Sequence, residues 1–266
     1  MINRLALPLY VVDAFTSTLF GGNPAAICLL PDWLPTALMQ TIAVENNLSE
    51  TAFLVEEGNG WGLKWFTPKV EIDLCGHATL ASAFMLAKLN PQQHEFRFHT
   101  LSGELIVTRS GDLFTLDFPR RELEPLSREQ ELSDKLGIQV VQVTRAGKTL
   151  MAELADANSV QHYQPDAAVI KALDCKGLVI TARGDDCDFV SRYFAPAVGV
   201  DEDPVTGSAH CGLVPYWSAK LNKTILHARQ LSTRRGELFC EYRGARVLMS
   251  GHAVQYSEGT IIVPLG

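Results

Sequence analysis

The pattern of hydrophobic and polar positions predicts short strands interrupted by a small number of helices. Apolar runs bounded by turn-forming residues are typical of strands, and such runs occur at 7–14, 25–30, 51–55 and 62–66. In segment 35–46 the apolar residues recur at helical spacing instead. We therefore expect a helix there, ending near the two asparagines that follow it.

A second helix is predicted at 77–88, where the chain is rich in alanine and apolar on every side. A helix without a polar face belongs in a protein core, so this one should be buried. Beyond it, turn residues at 102–103 and 110–112 divide segment 95–118 into strands. A last strand is predicted at 260–263.

The chain also contains an internal repeat. Three short matches recur in the same order, at offsets that grow slowly from 128 to 133 residues. They pair FTPKVEID at 66–73 with FAPAVGVD at 194–201, GHA at 76–78 with GSA at 207–209, and GEL at 103–105 with GEL at 236–238. Matches in constant order at nearly constant spacing indicate two copies of one unit of roughly 130 residues.

Each copy is expected to contain strands, a buried central helix and further strands, which makes the fold class α+β rather than doubly wound α/β. The first repeat domain is predicted at 1–118 and the second at 130–256. Segment 119–129 is charged and contains two prolines, so we interpret it as the linker. Whether a C-terminal strand at about 260–264 returns to the first domain is left open.

The amino-acid composition limits the classes of function that this chain can have. With 47% hydrophobic residues the 266-residue chain can bury a sizeable core, and its net charge of -7 offers no general attraction to nucleic acid or anionic lipid. Six cysteines without a CxxC pair indicate reduced thiols. No apolar run has the length of a signal segment or a membrane span. We expect a cytoplasmic protein with a small-molecule partner.

The two glycine triplets suggest where an anion could bind. If a helix begins at each triplet, the backbone N–H groups at Gly76–His77 and at Gly207–Ser208 are free at its positive end. Should the two copies face one another, these ends would hold a carboxylate or an enolate-like oxygen. The alternative is that Ser208 is an ordinary N-cap and His77 a first-turn residue without a ligand.

Two carboxylates are candidates for proton transfer. Glu50 lies at a loop-to-strand edge, where partial burial would raise its pKa toward neutrality and suit it to act as acid and base. Asp203 comes just before the second glycine triplet, where it could accept a hydrogen bond or shuttle a proton. The alternatives are a solvated Glu50 and a turn aspartate before Pro204.

Several motifs of the chain resemble one known family, the phenazine-biosynthesis isomerase-like (PhzF-like) proteins, and they occur in the family's order. They are VDAFT at 12–16, GNPA at 22–25, NLSETAF at 47–53, FTP at 66–68, CGHAT at 75–79 and EDPVTGSA at 202–209. The resemblance implies the diaminopimelate-epimerase-like fold, in which two similar domains each wrap strands around a central helix. It also implies a homodimer.

The resemblance assigns roles to particular residues. Glu50 matches the family's catalytic acid and base, and His77 and Asp203 match positions that act on or polarise the substrate. Gly76 and Ser208 also match positions that bind or polarise the substrate. We further expect Asn23, Cys75 and Gly207 to bind the substrate. In the family's best-known reaction, trans-2,3-dihydro-3-hydroxyanthranilate is isomerised by moving a proton between ring carbons without metal or cofactor. We therefore expect a cofactor-independent isomerase of a small carboxylic acid, whose substrate the sequence does not identify.

Three other interpretations stay open. A thiol-dependent racemase could use Cys75, although Cys211 should lie about one turn inside its helix rather than at the tip. A zinc site could combine Cys75 and His77 with His210 and Cys211, but their spacing is unlike that of usual zinc ligands, and we expect no metal. A protein that binds a small acid without turnover would keep the same site.

Overall fold

A computed structural model describes residues 3–265, and the chain divides into two compact units. The first unit runs to Asp117 and takes up the chain again at Gly251, whereas the second is Phe118–Ser250. The predicted boundaries placed the change of domain at 119–129 and ended the second domain at 256. Residues 1 and 2 of the predicted first domain lie outside the described part of the chain.

The first unit contains nine strands and two helices among the described residues. Its strands are β1 (Asn3–Ala14), β2 (Asn23–Leu30), β3 (Glu50–Glu57), β4 (Gly60–Phe66), β5 (Glu71–Ile72), β6 (Glu95–Thr100), β7 (Gly103–Ser110), β8 (Leu113–Pro119) and the C-terminal β18 (Ala253–Leu265). Its helices are α1 (Thr36–Asn46) and α2 (Gly76–Leu89). Apart from β18, these bounds confirm the predicted strands, turns and helices of this half to within a few residues.

The second unit contains the other strands and four helices of the described chain. Its strands are β9 (Leu123–Leu126), β10 (Val140–Ala146), β11 (Thr149–Leu154), β12 (Gly177–Arg183), β13 (Phe189–Ala195), β14 (Val200–Asp203), β15 (Ile225–Gln230), β16 (Gly236–Arg243) and β17 (Arg246–Gly251). Its helices are α3 (Glu129–Leu136), α4 (Ala157–His162), α5 (Ala167–Lys171) and α6 (Gly207–Leu221).

Strand pairing follows the same scheme in both units, as a duplicated fold requires. In the first unit β1 and β2 are antiparallel, β2 and β3 parallel, β3 and β4 antiparallel, and β4 and β6 parallel. In the second unit β10 to β13 and β15 repeat this series in the same order. The hairpins that follow, β6–β7 and β15–β16, are antiparallel in both.

The chain leaves and re-enters the first unit through two equivalent strands. β9 pairs antiparallel with β10 of the second unit, and β18 pairs antiparallel with β1 of the first. Segment 119–129, which the sequence suggested as the linker, includes β9 and the start of α3. Likewise, the last strand begins at Ala253 and is longer than the pattern indicated.

Each unit has its own hydrophobic core with a long helix against the strands. In α2 almost every residue is buried, including the alanines, because small side chains let strands approach the helix closely. Two buried hydroxyls of this helix bond to the carbonyl four residues earlier, Thr79 to Cys75 and Ser82 to Ala78, so both hydroxyls are paired within the helix. The long helix α6 of the second unit is buried to a similar extent.

Among the helices of residues 3–265, none is both long enough and apolar enough to cross a lipid bilayer.

Candidate active site

The first unit brings four of the predicted site residues into one cluster. Glu50 is the first residue of β3, and Asn23 is the first residue of β2, the strand beside it. Cys75 is the N-cap of α2 in an extended conformation, and His77 is the second residue of that helix. A strand edge and a helix N-terminus therefore meet at this point.

The imidazole of His77 is the centre of the cluster. Its Nε2 lies 3.0 Å from Glu50 Oε2. On the other edge of the ring, Nδ1 lies 3.2 Å from Asn23 Nδ2 and 3.5 Å from Cys75 Sγ. The carboxylate and the thiol thus contact different nitrogens of one ring.

The contact between His77 and Glu50 is an ion-pair contact rather than a directed hydrogen bond. Both Glu50 Oε2 and His77 Nε2 are buried, and within residues 3–265 neither has a hydrogen-bond partner of good geometry. Buried polar atoms in this state are costly, and they are found where a ligand or water completes the hydrogen bonding. The side chain of Glu50 keeps 14% exposure, which lies at its other atoms.

Burial acts in opposite directions on the pKa values of Cys75 and His77. Burial raises the pKa of the Cys75 thiol, and the nearby Glu50 raises it further, so the thiol keeps its proton at neutral pH. Burial by itself lowers the pKa of His77, but the contacts with Cys75 and Glu50 outweigh burial and raise it well above its usual value. Asn23 Nδ2 has only hydrogens to offer, so Nδ1 of His77 accepts from it and the ring proton lies on Nε2, facing Glu50 Oε2.

The same three side chains offer metal-ligand atoms within 4.8 Å of one another. Their arrangement does not suit a single ion, because Cys75 and Glu50 face opposite nitrogens of the His77 ring, whereas a metal bonds to one ring nitrogen. Neither His210 nor Cys211 belongs to a ligand cluster in the described part of the chain.

The second unit places Asp203 beside the N-terminus of α6. Asp203 is the last residue of β14, Thr206 is the N-cap of α6, and Gly207 and Ser208 are the first two residues of the helix. The hydroxyl of Thr206 donates a hydrogen bond of 2.6 Å to Asp203 Oδ2. Ser208 is half-buried.

Two further side chains hold this region, and the sequence did not single them out. Gln230, at the end of β15, accepts from the Thr206 backbone N–H at 2.8 Å and donates to the Asp203 carbonyl at 2.7 Å. Arg192 binds Glu202 through two nitrogens, at 2.7 and 3.0 Å, and also donates to the carbonyl of Tyr163. Asp203 is therefore held in two ways. Its backbone carbonyl accepts from Gln230, and Glu202, the preceding residue of β14, is bound by Arg192.

His210 lies one turn into α6 and is a structural residue. Its Nδ1 is 2.9 Å from the carbonyl of Thr206, and the ring packs against Phe189. Burial lowers the pKa of His210 to about 4, so the ring is neutral at physiological pH.

Comparison with known proteins identifies close relatives over nearly the whole chain. A family model described as phenazine biosynthesis-like protein matches residues 12–259. An uncharacterized isomerase of Pseudomonas aeruginosa is 48% identical over 97% of this chain and 99% of its own length.

Solved structures agree with this match. A phenazine biosynthesis protein of the PhzF family from Enterococcus faecalis has a TM-score of 0.94 at 46% identity, covering 97% of this chain and 99% of that one. A hydroxyproline epimerase from Agrobacterium vitis has a TM-score of 0.65 at 9% identity, covering 99% and 94%, which shows a shared fold alone. The predicted α+β, diaminopimelate-epimerase-like fold with two duplicated domains is confirmed.

Proposed function

Because this chain belongs to the phenazine biosynthesis-like protein family, we propose that it is an isomerase that moves a proton on a small carboxylic acid without a cofactor. The name of the Pseudomonas aeruginosa relative, an isomerase of matching length, supports the reaction class. The proposal does not depend on phenazine chemistry itself, since a family can keep a reaction type and change its substrate.

The observation that carries the proposal is the contact between Glu50 and His77. A carboxylate oxygen and an imidazole nitrogen lie 3.0 Å apart, buried and without directed hydrogen bonds among the described residues. Such a pair is ready to bind a third polar group, and it provides both a proton acceptor and an N–H donor. The exposed part of the Glu50 side chain is the side that a substrate carbon could approach.

In the proposed step, Glu50 takes a proton from a carbon of the substrate, and the electrons of the broken C–H bond move into the adjacent unsaturated system. The charge that develops is stabilised by the Nε2–H of His77 and by the backbone N–H groups at the start of α2. Glu50 then returns the proton to a different carbon. One C–H bond breaks and one forms, so the step needs no oxidant or reductant.

The other predicted site residues keep their predicted roles within this proposal. Gly76 and Gly207 begin α2 and α6, neither of which has a side-chain cap, so backbone N–H groups are left for an anion. Asp203 and Ser208 would bind or polarise the substrate. Asn23 is fully buried and its side-chain amide contacts His77. A direct contact between Asn23 and the substrate therefore has less support than the contacts proposed for the other residues.

A racemase mechanism with two thiols has less support. Such a mechanism needs a thiolate, whereas burial raises the pKa of Cys75 and raises that of Cys211 to about 11. Both thiols therefore hold their protons at neutral pH. Cys75 is better described as a small buried neighbour of His77.

We also propose that the enzyme is a cytoplasmic homodimer. All six cysteines are free thiols, which suits a reducing compartment. Sedimentation equilibrium of the purified chain would decide the oligomeric state, since a monomer near 29.2 kDa would contradict the dimer.

The reaction can be tested by NMR in deuterated buffer with trans-2,3-dihydro-3-hydroxyanthranilate and a panel of small amino and hydroxy acids. We expect wild type to isomerise one compound or to exchange one of its C–H protons for deuterium. Glu50→Gln should lose this activity, because the amide has the shape of the carboxyl but cannot accept the proton. A matched control is Glu56→Gln, an exposed carboxylate on the same strand, which should keep full activity.

Two results would contradict the proposal. Exchange that persists in Glu50→Gln would remove Glu50 as the base. A wild-type protein that is stabilised against heat by a panel compound, yet neither isomerises nor exchanges it, would indicate binding without turnover.

A further inference from the structure

We propose that Thr206 and Gln230 are positioning residues that hold one oxygen of the Asp203 carboxylate as a hydrogen-bond acceptor. The consequence for catalysis rests on the proposed function, in which Asp203 acts on the substrate, but the arrangement itself can be measured without a substrate. Neither Thr206 nor Gln230 has a role in the expectations drawn from the sequence.

The orientation of the Gln230 amide is fixed by two backbone groups. Its Oε1 accepts from the backbone N–H of Thr206 at 2.8 Å, and its Nε2 donates to the backbone carbonyl of Asp203 at 2.7 Å. A backbone N–H can only donate and a carbonyl can only accept, so a flipped amide would lose both bonds. The remaining N–H of Gln230 Nε2 lies 3.1 Å from Thr206 Oγ1.

The orientation of the Gln230 amide determines to which atom the Thr206 hydroxyl donates its hydrogen. Because Gln230 Nε2 has only hydrogens to offer, Thr206 Oγ1 must accept from it. A hydroxyl has a single hydrogen, and the other neighbour of Oγ1 is Asp203 Oδ2 at 2.6 Å. Thr206 therefore donates to Asp203, and the short distance is typical of a bond to an ionised carboxylate.

An ordinary capping role does not explain Thr206. A threonine at an N-cap normally accepts a hydrogen bond from an N–H in the first turn of its helix. The Thr206 side chain makes no such bond to α6. Its hydroxyl is turned to Asp203 instead, and both Thr206 and Gln230 are buried, with 6% and 1% exposure.

The arrangement has a chemical consequence. Since Oδ2 of Asp203 accepts from Thr206, that oxygen is the less basic of the two, and a proton on Asp203 is favoured at Oδ1. The carboxyl is thus held in one orientation with one oxygen assigned to the protein. This is the kind of support that keeps a catalytic group within a fraction of an ångström of its working position.

The experiment compares Thr206→Val, which removes the hydroxyl and keeps the shape, with Thr206→Ser, which keeps the hydroxyl. The first readout is the carboxyl ¹³C resonance of Asp203 in protein labelled at aspartate, assigned with Asp203→Asn. We expect this resonance to move in Thr206→Val and to stay near the wild-type position in Thr206→Ser. The second readout is turnover of whichever panel compound wild type converts. We expect kcat to fall about 10- to 100-fold in Thr206→Val with KM little changed, and Thr206→Ser to recover most of the loss.

A matched control is Thr181→Val in the same unit. Thr181 is also fully buried, and its hydroxyl donates to the Val190 carbonyl at 2.6 Å and accepts from Trp217 at 2.9 Å. This variant should lower the melting temperature, as Thr206→Val does, yet leave both the Asp203 resonance and kcat unchanged. Gln230→Met is the second variant, to be used if Thr206→Val does not fold, and it should move the Asp203 resonance in the same direction.

The proposal is overturned if Thr206→Val folds and its Asp203 resonance coincides with that of wild type. It is also overturned if Thr206→Ser is as impaired as Thr206→Val, because shape rather than the hydroxyl would then matter. Should no panel compound be converted, the proposed function fails, and the resonance still decides whether Thr206 holds Asp203.

Discussion

The N-termini of α2 and α6 are copies of one structural element that now have different chemistry. Cys75 and Thr206 are both extended N-cap residues, and neither caps its helix with its side chain. Four residues later, Thr79 donates to the Cys75 carbonyl at 2.5 Å, and His210 Nδ1 lies 2.9 Å from the Thr206 carbonyl. The backbone arrangement has been kept while the side chains have diverged.

The difference is clearest in two buried histidines. Among residues 3–265 no carboxylate contributes to the pKa of His210, and burial lowers this pKa to about 4. His77 is equally buried, but its contacts with Cys75 and Glu50 raise its pKa well above the usual value. The comparison indicates that neighbouring groups, and not burial alone, set the direction in which the pKa of such a ring moves.

Replacing Glu50 or Asp203 by its amide should give the largest difference in turnover between the N-terminus of α2 and that of α6. Glu50→Gln is expected to reduce turnover by about 10²- to 10⁴-fold, the usual contribution of a general acid–base group. Asp203→Asn should cost less, because an amide can still bind a polar group of the substrate. Steady-state kinetics on the compound identified by NMR would measure both, and equal losses would contradict the assignment of proton transfer to Glu50.

Replacing His77 or His210 should give the next largest effect. The contributions of these two residues to the free energy of unfolding should depend on pH in opposite directions. His210 is neutral when folded and has an ordinary pKa of 6.5 when unfolded, so its contribution to stability falls as pH drops from about 6.5 toward 4, by up to about 3 kcal/mol. His77 binds its proton more tightly when folded, so its contribution is complete below pH 6.5 and is lost as pH rises through its raised pKa.

Urea unfolding of His77→Gln, His210→Gln and wild type at several pH values would test this contrast. The stability difference between wild type and His77→Gln should shrink as the solution becomes alkaline, and the difference for His210→Gln should shrink as it becomes acidic. His94→Gln, at an exposed histidine, serves as the control. Parallel pH profiles for the two buried positions would contradict the opposite shifts.

A smaller effect is expected at Thr79, which occupies the position in α2 that His210 occupies in α6. Thr79→Val removes the bond to the Cys75 carbonyl, but that carbonyl also accepts from the Thr79 backbone N–H at 3.3 Å. The free energy of unfolding should therefore fall by only about 1 kcal/mol. Thermal unfolding measures the loss, and a much larger one would show that the hydroxyl also holds the candidate site together.

The smallest effect is expected at Cys75. Because its thiol keeps its proton at neutral pH, Cys75→Ala should leave turnover unchanged while Glu50→Gln abolishes it. The measurement is the same kinetic assay. Loss of activity in Cys75→Ala, with Glu50→Gln still active, would instead favour a thiol base.

Much of the fold could be predicted because duplication leaves a signal at its turns. Gly111 and Gly244 both have positive φ, 61° and 66°, at equivalent hairpins, and few other residues tolerate that conformation. β9 was not predicted, because Glu124 and Pro125 are exposed within it and the strand lacks an apolar alternation. Its pairing depends on β10, which no local pattern reveals.

The candidate site could be predicted in part for a similar reason. Glu50, His77 and Asp203 lie in local motifs, so the sequence could name them as candidates. Gln230 is 24 residues beyond Thr206 and reaches it only through the fold. The direction of the His77 pKa was equally out of reach, since it depends on distances to Glu50 and Cys75 that spacing along the chain does not give.

The most direct test of Glu50 as the group that moves the proton is isotope tracing. The identified substrate would be deuterated at the carbon that loses its proton, converted in ordinary water, and its product examined by mass spectrometry and NMR. A single carboxyl that removes and returns the proton predicts that part of the deuterium appears at the receiving carbon, and that Glu50→Gln forms no product. Product formed by Glu50→Gln with the same retained deuterium would contradict the account.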